Sequence, residues 1–292
     1  MVGRPWAIAC LVLALLPLEQ AAAGSTAASG AGTSLVLNTS VSVDSAHDHD
    51  AQLGGWIGLS DTTGMTFLAE YTGSPAGRLD LVTHTYSLGL DQDLGADGGF
   101  TLRYERWGKP DDIVSDAWYG SFRWQPGDWR LEVLPGWRKI TLYKSIHTTG
   151  SLAPLRTIDT SDRPLGVRLG FTGVEDWLFE VSTTRDNYTR NPAFLNSRRA
   201  LAFFTGSVLT LSQGFLSHAE TARVERDWDL LSVATDYEID RSAINGAYSY
   251  TNDLDMTIPL SGSFELDLTA GATHTLNQPQ VRFITLGLSY YH

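Results

Sequence analysis

The stretch that decides the fold is Ile284-Thr285-Leu286-Gly287-Leu288-Ser289-Tyr290, close to the end of the chain. Its apolar members Ile284, Leu286, Leu288 and Tyr290 alternate with Thr285, Gly287 and Ser289. A period of two places successive side chains on opposite faces of a β-strand. The same pattern recurs upstream. Phe100, Leu102 and Tyr104 alternate with Thr101, Arg103 and Glu105; Leu165, Val167, Leu169 and Phe171 with Gly166, Arg168 and Gly170. Further runs centre on Trp118–Trp124, Trp177–Val181, Leu231–Ile239 and Phe264–Leu268. Turn chemistry separates them at Ser60-Asp61-Thr62-Thr63-Gly64, Gln125-Pro126-Gly127-Asp128, Thr172-Gly173 and Asn277-Gln278-Pro279-Gln280. Helical periodicity is missing after the N-terminal segment, so the expected fold is all-β.

An alternating chain can solve its packing in two ways. A soluble sandwich buries its apolar face against a second sheet. A transmembrane barrel turns that face to lipid and keeps the polar face for its lumen. Strands of about ten residues suit a tilted membrane crossing. The apolar faces are rich in Trp, Tyr and Phe, and ionised residues recur mid-strand on the opposite faces. Connections alternate in length: 60–63 and 125–128 read as short, while 107–115, 146–162 and 187–198 read as long. These features favour a single antiparallel barrel over residues 33–292.

The last eight residues, Thr285 to His292, then resemble the C-terminal strand of bacterial outer-membrane β-barrels. That family pattern is a polar residue, a Gly two positions on, and apolar or aromatic residues three and five beyond the Gly. Thr285, Gly287 and Tyr290 match, and His292 stands where the family carries Phe or Trp. The resemblance implies an assembly signal read by the barrel-assembly machinery, outer-membrane lipid and lipopolysaccharide as surroundings, and a Gram-negative cell envelope. Fifteen strand-like runs are discernible. Such barrels carry an even number, so about 14 strands (12–16) are expected, with Phe215 to Arg226 the weakest run.

The N-terminus reads as an export signal over residues 1–23: Arg4, an apolar stretch from Trp6 to Leu18, then Ala21-Ala22-Ala23. Residues 24–32 read as a flexible linker. The single Cys of the chain is Cys10, inside that signal, so the exported protein would hold neither a disulfide nor a cysteine-based metal site. Twenty-one Lys and Arg stand against 33 Asp and Glu, a net charge of −12, which argues against a nucleic-acid partner.

With apolar faces outward, the lumen would be lined by Arg103, Arg123, Arg130 and Arg168, with Glu70, Glu105 and Glu132 among them. From the later strands come Glu180, Asp236, Glu238, Glu265 and Asp267. This reads as a basic-leaning wall facing an acidic one, either orienting passing solutes or pairing into a lattice that closes the lumen. Loop 185–199 concentrates Arg185, Arg190, Arg198 and Arg199, a solvated outer loop by the simplest reading. Chemistry-bearing patterns are thin. His84 and Ser87 fall on opposite faces. His218 and Glu220 share a face with no nucleophile beside them. His47 and His49, inside Asp44-Ser45-Ala46-His47-Asp48-His49-Asp50, are weak metal candidates. Asp91, Asp93 and Asp97 lack the downstream Glu of a calcium loop. No catalytic residue and no cofactor is implied.

Three functional readings follow. The first is a passive channel for small solutes, or a scaffold for export or envelope integrity. The second is a barrel-embedded hydrolase acting on lipid or peptide at the outer rim. The third is a secreted soluble β-protein binding carbohydrate, with Trp107, Trp137 and Trp228 as sugar platforms; in a barrel these would be interface anchors or loop residues.

Overall fold

The computed structural model describes residues 34–76, 79–110, 113–144, 156–193, 215–276 and 278–292. The expected export signal and linker lie outside them, as do Arg198 and Arg199. The described residues form fifteen strands in chain order: β1 (Leu35–Asp44), β2 (His49–Ser60), β3 (Thr63–Ala76), β4 (Leu79–Asp93), β5 (Gly98–Lys109), β6 (Ile113–Trp124), β7 (Trp129–Lys144), β8 (Arg156–Asp162), β9 (Leu165–Val174), β10 (Trp177–Arg185), β11 (Leu216–Trp228), β12 (Leu231–Ser242), β13 (Tyr248–Ser261), β14 (Phe264–Thr275) and β15 (Val281–Tyr291). Strands adjacent in sequence pair antiparallel, except β8 with β9, and β15 returns to pair with β1 from Val36↔Tyr291 to Asp44↔Phe283. That pairing closes the ring; β8 is laddered on one side, with a single bridge from Asp162 to Tyr188 besides.

The ring counts fourteen, because β8 and β9 occupy one place in it. Arg138 pairs with Asp162 in β8, and Pro135 pairs with Leu165 in β9, both against β7 in one unbroken register. Arg163-Pro164 interrupts the ladder between them. Proline has no N–H to donate, although its carbonyl still accepts from Gly136 N at 2.8 Å. The protein is a closed fourteen-strand antiparallel β-barrel.

Several local expectations need correction. The run around 215–226, expected to be the weakest, is the full strand β11, paired on both sides. Its polar contrast is poor because His218 and Glu220 face outward near one rim. The connection expected over 107–115 is short, since β5 runs to Lys109 and β6 starts at Ile113; Gly108, at φ 132°, lets the strand pass close to the Ile113 carbonyl. Of the connection expected over 146–162, residues 156–162 are strand β8. The break expected at Thr172-Gly173 falls at Glu175-Asp176, where Asp176 takes φ 63°.

The two ends of the barrel differ. At the end holding Leu35 and His292, which exchange two backbone hydrogen bonds of 2.9 Å, every connection is two to four residues long. The other end carries the eleven-residue 145–155 and the thirty-residue 186–215 connections. Short periplasmic turns opposite longer outer loops are the asymmetry of outer-membrane barrels.

The two faces also differ, and inversely to a soluble protein. Outward side chains include Leu88 (53% exposed), Phe122 (59%), Val181 (53%), Leu254 (49%) and Leu286 (46%), while Glu132, Asp162, Asp255 and Asp267 are buried inside. Aromatic side chains gather toward both borders of the apolar band: Trp124, Trp129, Trp228 and Phe264 at the short-turn end, Tyr71, Trp137, Tyr248 and Tyr250 toward the loops. One apolar cluster lies inside the barrel, at the loop end. Ile113, Ile140 and Leu142 meet Phe215 and Ile244 there, with Trp107, Ile158 and Tyr188 packed against them. Trp107 is therefore an interior side chain rather than an interface anchor.

Candidate functional site

Strand parity and cross-strand register assemble the charged interior. Glu132 sits on β7 opposite Arg168 of β9 and Arg123 of β6. Only 3% exposed, it takes a hydrogen bond from Arg130 Nε at 2.7 Å and another from Arg168 Nη1 at 3.2 Å. Arg168 also lies 3.2 Å from Glu180 of β10. Arg103 reaches Glu105 at 3.8 Å and covers the Tyr119 ring, and Arg123 bonds Asp93 at 2.6 Å. Near the loop end, Arg138 bonds Asp162 (3.0 Å) and the Tyr188 hydroxyl (2.8 Å), with Asp186 at 3.5 Å. Asp186 lies beyond β10, and burial, with the Asp162 carboxyl adding to it, pushes its pKa up to about 8 against the pull of Arg138.

About half-way round the ring, β12–β14 present a different wall. Asp236, Glu238 and Asp240 of β12, Asp253 and Asp255 of β13, and Glu265 and Asp267 of β14 share the inner face. Arg223 of β11 is the cation among them. It bonds Asp236 and, at 3.0 Å, Asp255, and its other partner Glu225 is acidic too. Hydroxyls satisfy much of the rest. Thr269 donates to Asp255 at 2.6 Å, Thr257 and Ser289 donate to Asp267 at 2.9 Å, and Tyr291 donates to Glu265 at 2.6 Å. Oxygens of Asp236, Asp253 and Asp255 lie within 4.8 Å of one another, with Arg223 lodged between two of them.

The candidate lining residues Arg103, Arg123, Arg130, Arg168, Glu105, Glu132, Glu180, Asp236, Glu238, Glu265 and Asp267 thus occupy one face. The basic-leaning wall is not basic, however. Each of its arginines meets a carboxylate on its own strand, on an adjacent strand or, for Arg123, on β4 two strands away. The contrast around the ring is a balanced wall facing an acidic one. Arg138 and Arg223 were absent from the sequence list. Arg138 falls in Gly136-Trp137-Arg138-Lys139-Ile140, whose alternation mixes charge on both faces, and Arg223 lies in the run that looked weakest.

Other candidates are dispersed. His47 sits in the β1–β2 turn at φ 70°, and the His49 ring turns outward against Tyr71 (5.8 Å), so the two do not share a site with Asp50 on the inner face. His218 and Glu220 meet at 2.7 Å on the outer face, whereas the nearby Ser217 hydroxyl is engaged by the Arg241 carbonyl. Asp91 accepts from Thr101, and Asp97 lies in a turn. At the terminal strand, Gly287 faces Asp267, and a Cβ there would come within 2.9 Å of the Asp267 Cβ. Tyr290 packs on Phe264 with centroids 5.0 Å apart, and His292 stacks beyond it at the short-turn rim.

No protein-family model matches the chain, and no curated protein sequence does. Solved structures similar to it include a loop L8 deletion mutant of OmpT, an outer membrane protein of Vibrio cholerae, at 10% identity over 90% of this chain and 99% of that one, with a TM-score of 0.49. Pseudomonas aeruginosa OccK11 (OpdR) is similar at 13% identity over 89% and 95% with a TM-score of 0.43, and the KdgM porin at 8% over 87% and 98% with a TM-score of 0.45. The barrel itself rests on its own closed strand pairing.

Proposed function

We propose that the chain is an outer-membrane barrel that conducts small solutes passively and prefers cations. The inside-out arrangement carries this reading: large apolar side chains face outward, ionised ones inward, in a closed ring. A soluble carbohydrate-binding barrel would bury its apolar face instead. The cation preference follows from the β12–β14 wall, which carries seven carboxylates and, among the described residues, two ion pairs, both to Arg223. The loop-end cluster of Ile113, Ile140, Leu142, Phe215 and Ile244 favours a second reading, a lumen narrowed enough that the barrel acts as a scaffold. A rim hydrolase gains little support, since His218 and Glu220 lie on the outer face beside no free hydroxyl.

Protein purified from bacterial membranes in detergent and added to a planar lipid bilayer is expected to give discrete current steps that scale with salt. Its reversal potential in a salt gradient is expected to favour K⁺ over Cl⁻. Silent insertion would replace the channel with the scaffold, and recovery without detergent would contradict the barrel's location. We also propose that β15 carries the assembly signal. Deleting residues 285–292 is expected to abolish membrane assembly, and His292→Phe to leave it unchanged or improve it.

A further inference from the structure

Arg226 is unlike the interior arginines. It points outward from β11, directly across from Trp177 of β10 and two residues before Trp228 on the same face. Its guanidinium carbon lies 5.1 Å from the Trp177 ring centre and 4.8 Å from that of Trp228. Its Nε–H is buried and donates no hydrogen bond, and among the described residues no carboxylate lies within ion-pair distance of the guanidinium. Two indole faces hold the charge, and no acidic side chain among the described residues neutralises it.

Position says what could. The site adjoins the two-residue turns 175–176 and 229–230, at the end with both chain termini. Toward mid-barrel the outward side chains are Phe179, Val181 and Val224, so Arg226 stands where the apolar band gives way to headgroups. Indole stacking fixes the plane of a guanidinium while leaving its edge N–H groups to grip a phosphate in a fork. Holding the side chain beforehand also lowers the ordering cost of binding. Glu175, Asp176 and Asp229 of the turns, with Asp227 at the end of β11, would repel a free anion approaching from water. The acyl chains of a lipid bring apolar burial against Phe179, Val181 and Val224 that offsets this repulsion, and a free anion has no such term. We propose that Trp177, Arg226 and Trp228 form a binding site for the phosphate of a phospholipid headgroup in the periplasmic leaflet. This rests on the outer-membrane reading above.

The test is native mass spectrometry of the detergent-purified barrel, titrated with phosphatidylglycerol and with a diacylglycerol of the same chains. Arg226→Ala is expected to weaken phosphatidylglycerol binding about tenfold, the loss of one charge-assisted contact, and to leave diacylglycerol unchanged. Trp177→Leu, which keeps the charge, is expected to weaken it less. Arg241→Ala at the opposite rim is expected to leave the tightest lipid in place. Phosphatidylglycerol binding equal to wild type in a folded Arg226→Ala barrel would overturn the site. Displacement of the lipid by millimolar inorganic phosphate would also overturn it, in favour of a soluble anion. Failure of the wild-type chain to enter lipid at all would remove the outer-membrane reading first, and the site with it.

Discussion

Arg168 and Arg226 stand two strands apart in one sheet and are treated in opposite ways. Arg168 points inward and lies between the carboxylates of Glu132 and Glu180; Arg226 points outward and lies between two indole rings. The difference repeats over the molecule. Inward arginines at 103, 123, 130, 138, 168 and 223 all meet acids; outward Arg226 and Arg241 rest on aromatic faces, and the exposed outward Arg106 pairs with Asp116 at 3.3 Å. A charge buried inside the barrel needs a counter-charge or it carries the full desolvation cost. A charge at a membrane border can keep its head near water and rest its body on a ring. Face and access to water together, rather than residue type, decide the chemistry.

The comparison can be broken most forcefully at Glu132. Replacing it by Ala strands Arg130 without a partner and Arg168 with one fewer, and should cost on the order of 3–5 kcal/mol, read from the urea midpoint of the barrel in lipid. Glu132→Ala with unchanged stability would show that the inner pairs are incidental. A second break inserts the same cation on each face of β13. Leu254→Arg, outward at mid-strand, should lose about 2–4 kcal/mol. Thr251→Arg, inward beside Glu238, should be near neutral on the same assay. Equal costs would erase the distinction between the faces.

How much of this was legible in the sequence depended on what alternation can carry. Ile284 to Tyr290 and its relatives fix which residues share a face, because parity is local. They could not fix which acid meets which arginine, because Glu132 finds Arg168 through the register between β7 and β9, set 36 residues apart. Pro164 hid the strand count in the same way: only pairing with β7 reveals β8 and β9 as one ring position. The interior cap was illegible for a different reason. Phe215 and Ile244 sit in connections, where no periodicity announces that an apolar side chain will turn inward.

A smaller effect sharpens the picture at the rim. Asp186 holds its proton up to about pH 8 in the folded barrel, well above the ordinary aspartate value of 3.8. The folded state therefore binds more protons than the unfolded one between those values, and this group's contribution to stability falls as pH rises from about 4 to 8. Urea midpoints at pH 5 and pH 8 should differ in that direction, and Asp186→Asn should flatten the difference. A wild-type midpoint that rises with pH, unaltered in Asp186→Asn, would remove Asp186 from the account.

The most direct test uses the absence of cysteine after residue 10. Single cysteines would be placed at adjacent positions of β5, Leu102→Cys and Arg103→Cys, in barrels reconstituted into vesicles. A charged, membrane-impermeant thiol reagent should label position 103 through the lumen and leave position 102 unreacted in lipid. Labelling of 102 with protection of 103, or equal labelling of both, would contradict an apolar outside and an ionised inside.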